Sequence, residues 1–259
     1  NLGRFPLSQE ALFHVSDVFG SYDLSSLPVP KIARKKADCV FKYKTKPFQH
    51  QKDWFNNTKD EKVYAIFWEM GLGKTKLALD NAAYLYAKGE IDTLIVITLN
   101  GVHLNWVHKE IPAHLPDYCN PLCVAWDSTK YTGKVKYFRQ ALDSLFKHEG
   151  LAILTCNVEA FSKETVLTFC QKLATKRRAM CVVDEAHCIK EQSAKRTKNV
   201  LKLAPLCKYR RIMTGTPAAN SPLDLFTQMA FLDKGILGHK SYYSFRSKYA
   251  ILQPVREMG

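Results

Sequence analysis

The residues best suited to chemistry lie in one short stretch. An apolar run, Val63–Trp68, leads into Glu69-Met70-Gly71-Leu72-Gly73-Lys74-Thr75, and a helix-forming run, Lys76-Leu77-Ala78-Leu79, follows at once. Glycines at 71 and 73, with Leu72 between them, let successive backbone N–H groups turn inward on a phosphate. The helix that follows adds the positive end of its dipole. Lys74 is then placed to reach β- and γ-phosphates, and the Thr75 hydroxyl to hold Mg²⁺. A chance glycine-rich turn is the plain alternative, and the strand–loop–helix setting argues against it. Trp68 stands where such a pattern usually opens with a small residue. The loop alone fits a kinase, a switch GTPase, a transporter ATPase or a nucleic-acid motor.

A second acidic signal comes more than a hundred residues later, in Cys181-Val182-Val183-Asp184-Glu185-Ala186-His187. Open α/β sheets bind ligands beyond the carboxyl ends of their strands, where this pair falls. Asp184 is expected to hold Mg²⁺ through its water shell, and Glu185 to orient and deprotonate an attacking water. Alone, Asp-Glu would simply end a strand at the surface; beside a phosphate loop it reads as an ATPase pair.

The positioning elements follow from periodicity. Val63–Trp68, Thr93–Thr98, Leu151–Thr155, Met180–Asp184 and Arg211–Thr214 are short, β-branched or apolar runs, and each predicts a buried strand. Helices are expected at Thr75–Lys88, Val102–Ile111, Lys134–Phe146, Lys163–Thr175, Ala194–Lys202 and Pro222–Phe231. Their alternation predicts an α/β domain with a mostly parallel sheet and helices on both faces. Residues 1–46 read as a separate leader, with a helix near Ser8–Phe19, a Pro-broken Leu27-Pro28-Val29-Pro30 and a basic run from Lys31 to Lys36. The motor-like pattern occupies 47–259. Deleting the leader is expected to leave the nucleotide site intact.

Lysine plus arginine exceed aspartate plus glutamate by 38 − 24 = 14 in 259 residues. That excess suits a phosphate-rich partner as well as a merely basic surface. The eight cysteines include no CxxC pair, so no zinc site is expected; several lie in apolar runs, as buried thiols of a reducing compartment do. No apolar run approaches membrane-spanning length, and no export signal opens the chain, so a cytoplasmic location is expected, or a nuclear one if the source is eukaryotic.

Small GTPases and transporter ATPases do not normally carry Asp184-Glu185-Ala186-His187, whereas helicase-superfamily motors do. With it, the chain resembles the first RecA-like P-loop domain of a superfamily-two, Swi/Snf-like DNA translocase, from about Pro47 to Tyr249. Glu69 to Thr75 matches that group's nucleotide loop nearly letter for letter, and Trp68 replaces the acidic residue of chromatin remodellers. The resemblance implies that Gln49, in Pro47-Phe48-Gln49-His50-Gln51, reads adenine, and that His187 belongs to the ATP site. It implies that Thr98 and Asn100, ahead of Asn105-Trp106, hold a DNA phosphate chain; Trp106 itself reads as a core anchor. Thr155-Cys156-Asn157-Val158-Glu159 sits at a further strand-contacting motif. Lys190, Lys195 and Arg196 fall in a stretch that faces DNA in the family, although a solvated helix face explains those charges equally. Met213-Thr214-Gly215-Thr216-Pro217 resembles the coupling motif, with Thr214 or Thr216 linking His187 to the nucleic-acid side.

ATP and Mg²⁺ are therefore the expected cofactors and DNA, duplex in this group, the expected partner. The family works with a second RecA-like domain that supplies arginines, so a chain carrying one phosphate loop is expected to behave as half a motor. It would bind ATP, turn it over slowly and not move along DNA alone. A nucleotide-regulated clamp without turnover and an RNA helicase are the competing readings; Thr214-Gly215-Thr216-Pro217 argues against the latter. The compact leader inclines the source towards a small bacterial or viral protein.

Overall fold

The computed structural model describes residues 40–239 and 241–250. The leader's helix, Pro-broken stretch and basic run lie outside the described residues. Six strands form one sheet in the order β1-β6-β5-β2-β4-β3, every pair parallel. They are β1 (Val63–Ile66), β2 (Thr93–Thr98), β3 (Leu122–Ala125), β4 (Ala152–Asn157), β5 (Ala179–Asp184) and β6 (Tyr209–Met213). The helices are α1 (Gln49–Thr58), α2 (Lys74–Ala87), α3 (Val102–Asn105), α4 (Ile111–His114), α5 (Ser128–Thr132), α6 (Lys136–Lys147), α7 (Glu164–Lys176), α8 (Lys195–Leu203), α9 (Leu225–Leu232) and α10 (Tyr242–Tyr249).

Because neighbouring side chains on a strand point to opposite faces, each central strand feeds two cores. Leu94 and Val96 pack on one side with α1, α2 and Trp106, while Ile95 and Ile97 pack on the other with α6, α7 and α8. Met180 and Val182 share the first core, Cys181 and Val183 the second. Burial on both faces is what an all-parallel sheet demands, and it explains the unbroken apolar runs in the sequence.

Boundaries shift where a side chain has a competing task. The first strand ends at Ile66 instead of Trp68, since the carbonyls of Trp68 and Glu69 accept from Lys74 Nζ at 2.9 and 3.1 Å. The helix expected over Val102–Ile111 is interrupted by a π-helical turn, Trp106–Glu110. The edge strand β3, α1 and α10 were not expected from the sequence.

Residues 41–45 pass over α1 and α2, with Phe41, Tyr43 and Thr45 half-buried and Lys42 and Lys44 exposed. Phe41 stacks on Phe55 at 5.1 Å and meets Tyr84 edge-on, and Lys76 Nζ lies over the Tyr43 ring. Lys44 pairs with Asp117 and Thr45 with His114. This strap lies directly against the helix that follows the phosphate loop.

Candidate functional site

Register places the motifs side by side. Ile66 is opposite Met213, and Met213 opposite Asp184, so β1, β6 and β5 end in line. The residues just beyond those ends are the phosphate loop, Thr214 and Glu185. Thr214 N–H donates to Ile66 O at 3.1 Å, which stitches the first two together.

The loop has the conformation its glycines allow. Gly71 and Gly73 have φ of 81° and 75°, in the left-handed region where a Cβ is penalised. A Cβ on Gly73 would also collide with the Gln51 amide, whereas one on Gly71 would meet open space. Gly215 backs the loop, its Cβ position 3.4 Å from Trp68 O. Trp68 is buried edge-to-face against Trp54 and His50, so an aromatic cluster anchors the start of the loop. Lys74 is buried, its ammonium held by the loop's own carbonyls. Thr75 is half-buried in the first turn of α2, and Leu72 is exposed at the loop tip.

Asp184 is buried at the end of β5. Its Oδ2 accepts from Trp106 Nε1 at 2.9 Å and from Thr98 Oγ1 at 3.4 Å, and Oδ1 accepts from Glu185 N–H at 3.0 Å. Burial pushes its carboxyl above the usual range; the Trp106 hydrogen bond and the field of Lys74 oppose that, while the charge of Glu185 reinforces it. Glu185 adopts φ 51°, a left-handed backbone that costs a non-glycine residue about 1 kcal/mol. It aims the carboxylate at Thr214, whose hydroxyl donates to Oε2 at 3.2 Å. His187 Nδ1 lies 3.3 Å from both Glu185 Oε2 and Thr214 Oγ1. With the Thr214 proton spent on Glu185, His187 satisfies both oxygens only when Nδ1 carries hydrogen. Thr216 N–H donates to Thr214 Oγ1 at 3.1 Å, closing the group.

The structure therefore gathers Gly71, Gly73, Lys74 and Thr75 in the loop, with Asp184, Glu185, His187 and Thr214 on adjoining strand ends. Of the remaining expected residues, Thr98 touches the group only through Asp184 and Thr216 only through its backbone N–H, and the others fall elsewhere. Gln49 is exposed and its amide donates to Asp53 at 2.7 Å. It is Gln51 that meets the loop, donating to Leu72 O and Gly73 O while its Oε1 accepts from Phe48 N–H. Thr98 is fully buried against Asp184, so the expectation that its side chain contacts a phosphate chain is corrected. Asn100 is exposed, bonded to Gly101 N–H. Lys190 pairs with Asp224, Lys195 is exposed, and Arg196 is half-buried with its Nε unpaired. Thr216 is exposed.

Sequence reasoning missed Gln51 and the Trp106–Asp184 bond. The first had a signal: a glutamine three residues after a helix-opening position is placed to cap its N-terminus. The second had none, because the partners are 78 positions apart.

The donor set fits a hydrated Mg²⁺. A threonine hydroxyl and a carboxylate are hard oxygen ligands, and Mg²⁺ keeps several waters beside one or two such groups and substrate phosphates. Among the described residues no cluster of His, Cys, Asp and Glu has the composition of a protein-only metal cage, and no disulfide forms among the seven described cysteines. No described helix is long and apolar enough to cross a membrane.

Residues 49–255 match the SNF2-related domain model. The chain is 30% identical over 204 residues to the DNA annealing helicase and endonuclease ZRANB3 of Bos taurus, covering 77% of this chain and 17% of that protein. It is 26% identical over 199 residues to the chromatin-remodeling ATPase INO80 of Saccharomyces cerevisiae, covering 76% and 13%. Among solved structures it is similar to the Sulfolobus solfataricus SWI2/SNF2 ATPase core in complex with dsDNA. That match has a TM-score of 0.63 and 27% identity, and spans 81% of this chain and 40% of the other. The chain thus spans less than a fifth of these two curated relatives.

Proposed function

The chain belongs to the SNF2-related domain family, and from that premise we propose that it is the first ATPase lobe of a DNA translocase or helicase. The observation that carries the reading is the alignment of three strand ends, which sets Glu185, His187 and Thr214 against the phosphate loop. Backbone N–H groups of Gly71, Leu72 and Gly73 cradle the phosphates of ATP. Lys74 moves from the loop carbonyls to the β- and γ-phosphates. Thr75 and Asp184 are the residues that would hold a hydrated Mg²⁺, whose charge would offset that of the phosphates. Glu185 orients the attacking water and takes its proton. Gln49, exposed at the start of α1, would exchange its bond to Asp53 for the adenine edge.

Thr214 sits between Glu185 and the backbone of Thr216, so a shift of the 214–217 segment on nucleic acid would turn the Glu185 carboxylate. Asn100, Lys190, Lys195 and Arg196 are the proposed contacts to the DNA backbone, which position without reading sequence. Duplex DNA is favoured because the solved relative is held in complex with dsDNA and the chain carries an excess of 14 positive charges. A second RecA-like lobe would supply the arginines for full turnover, worth about 10³ to 10⁵ in rate.

The test is ATP hydrolysis by the full-length protein with no nucleic acid, single-stranded DNA, duplex DNA or RNA at fixed salt. Duplex stimulation that Glu185→Gln abolishes is the expected result. Stimulation by RNA alone would overturn the substrate, and no stimulation by any of them would favour the clamp.

A further inference from the structure

Trp106 is almost fully buried, yet its one polar atom is spent on a catalytic-strand carboxylate. Packing alone does not account for that pairing. Trp54, in the same apolar cluster, keeps its indole N–H buried with no hydrogen-bond partner. The backbone around Trp106 is also unusual. It opens the π-helical turn Trp106–Glu110, and Ile111 N–H bonds back to Trp106 O. In an α-helix, residues five apart point about 140° away from one another. The wider i→i+5 turn brings them to one side, and Trp106 and Ile111 are both buried. Single π-turns within helices are frequent at functional sites.

The consequence falls on Asp184. Oδ2 takes the donors of Trp106 and Thr98, at 2.9 and 3.4 Å, whereas Oδ1 takes only the backbone N–H of Glu185. A carboxylate oxygen accepts about two hydrogen bonds, so Oδ2 is filled and Oδ1 retains a free lone pair. We infer that Trp106 is a positioning residue for the Mg²⁺ site, fixing the Asp184 carboxylate so that Oδ1 is the oxygen presented to the hydrated ion. This rests on the proposed reading of Asp184 as the Mg²⁺ residue. Trp106 is joined through α3 to the Asn100 loop, so the same bond ties a proposed DNA-facing segment to the nucleotide site, separately from Thr214.

The experiment measures binding of a fluorescent ATP analogue to the chain in excess Mg²⁺ and in EDTA. The ratio of the two affinities isolates the contribution of the ion. Trp106→Phe removes the donor and keeps an aromatic ring; site-specific 3-benzothienylalanine removes it and keeps the full shape. Both are expected to lower the Mg²⁺-dependent ratio about 10-fold or more, the range for residues that hold a metal ligand in place. Affinity in EDTA should stay unchanged, and neither substitution should lower the ratio further when Asp184 is already alanine. A ratio kept by the benzothienyl protein would overturn the inference, as would an equal loss in EDTA or a loss that persists without Asp184. Wild-type binding that ignores Mg²⁺ would overturn the parent reading instead, so the two failures are distinguishable.

Discussion

The pair Lys76–Asp80 on α2 should make the stability of this domain run against the usual acid trend. Asp80 Oδ2 accepts from Lys76 Nζ at 2.5 Å, and both side chains are nearly inaccessible, at 1% and 8% exposed. Asp80 Oδ1 is buried with no partner. One ammonium does not offset that burial, and the Asp80 carboxyl is pushed up from 3.8 to about 6. The folded state therefore binds more protons than the unfolded chain between about pH 4 and 6. Stability from this group is fully present below the unfolded value and is lost as pH rises through about 6. A carboxyl moved that far is worth about 3 kcal/mol over the full range, and about 1 kcal/mol of it falls between pH 5 and 7.5. Asp80→Asn removes the titration. It also leaves the Lys76 ammonium without its anion, a cost common to both pH values. His114, beside the strap, titrates in both proteins and subtracts out. Denaturant unfolding at pH 5 and 7.5 should show the wild type gaining about 1 kcal/mol at pH 5 relative to the variant. Wild type and variant changing in parallel, within about 0.5 kcal/mol, would refute the reasoning.

Thr214→Val keeps the shape, removes the donor to Glu185 and strands Thr216 N–H; a hydrogen bond to a charged group is worth about 1.5–3 kcal/mol. Nucleic-acid-stimulated kcat should fall about 10- to 100-fold, with the affinity for the ATP analogue unchanged, as read from paired hydrolysis and binding assays. Phe41→Ala with Tyr43→Ala uncovers Phe55, Tyr84 and the Lys76–Asp80 pair, and should cost roughly 2–4 kcal/mol in denaturant unfolding. Nucleotide affinity at temperatures where the variant is folded should be retained.

The central sheet was legible because burial on both faces leaves a signature no surface element shares: β2 and β5 read as continuous apolar runs. The edge strand β3 was not, since only Val124 of its four residues is buried and Leu122-Cys123-Val124 is too short to separate from a core loop. α1 escaped because its sequence, Gln49–Thr58, is mostly polar and its buried residues are few; its packing on α2 and the strap supplies the stability that propensity does not. The loop residues and the acidic pair were legible as local strings. Contacts between strings were not. Nothing in the spelling of Thr98 distinguishes a hydroxyl aimed at DNA from one folded under against Asp184. Likewise, Gln49 and Gln51 differ only in which side of a helix start they occupy.

The pairing of β1 with β6 has a consequence for how the domain comes into being. Val63 lies opposite Arg210, a separation of 210 − 63 = 147 residues, and β6 is the sheet neighbour of β1. Strand β1 has therefore no backbone partner in the sheet until the chain has been synthesised past residue 213. At about 5–20 residues per second, translation leaves the phosphate-loop strand waiting roughly 7–30 s. An early loop is thus framed by a late strand, so the nascent chain carries the residues of the proposed ATP site long before it has the rigid frame to use them. Contacts this distant in sequence also slow folding through the entropy of closing the loop. Throughout that interval the apolar strand has both edges unpaired, each a template for pairing with another chain.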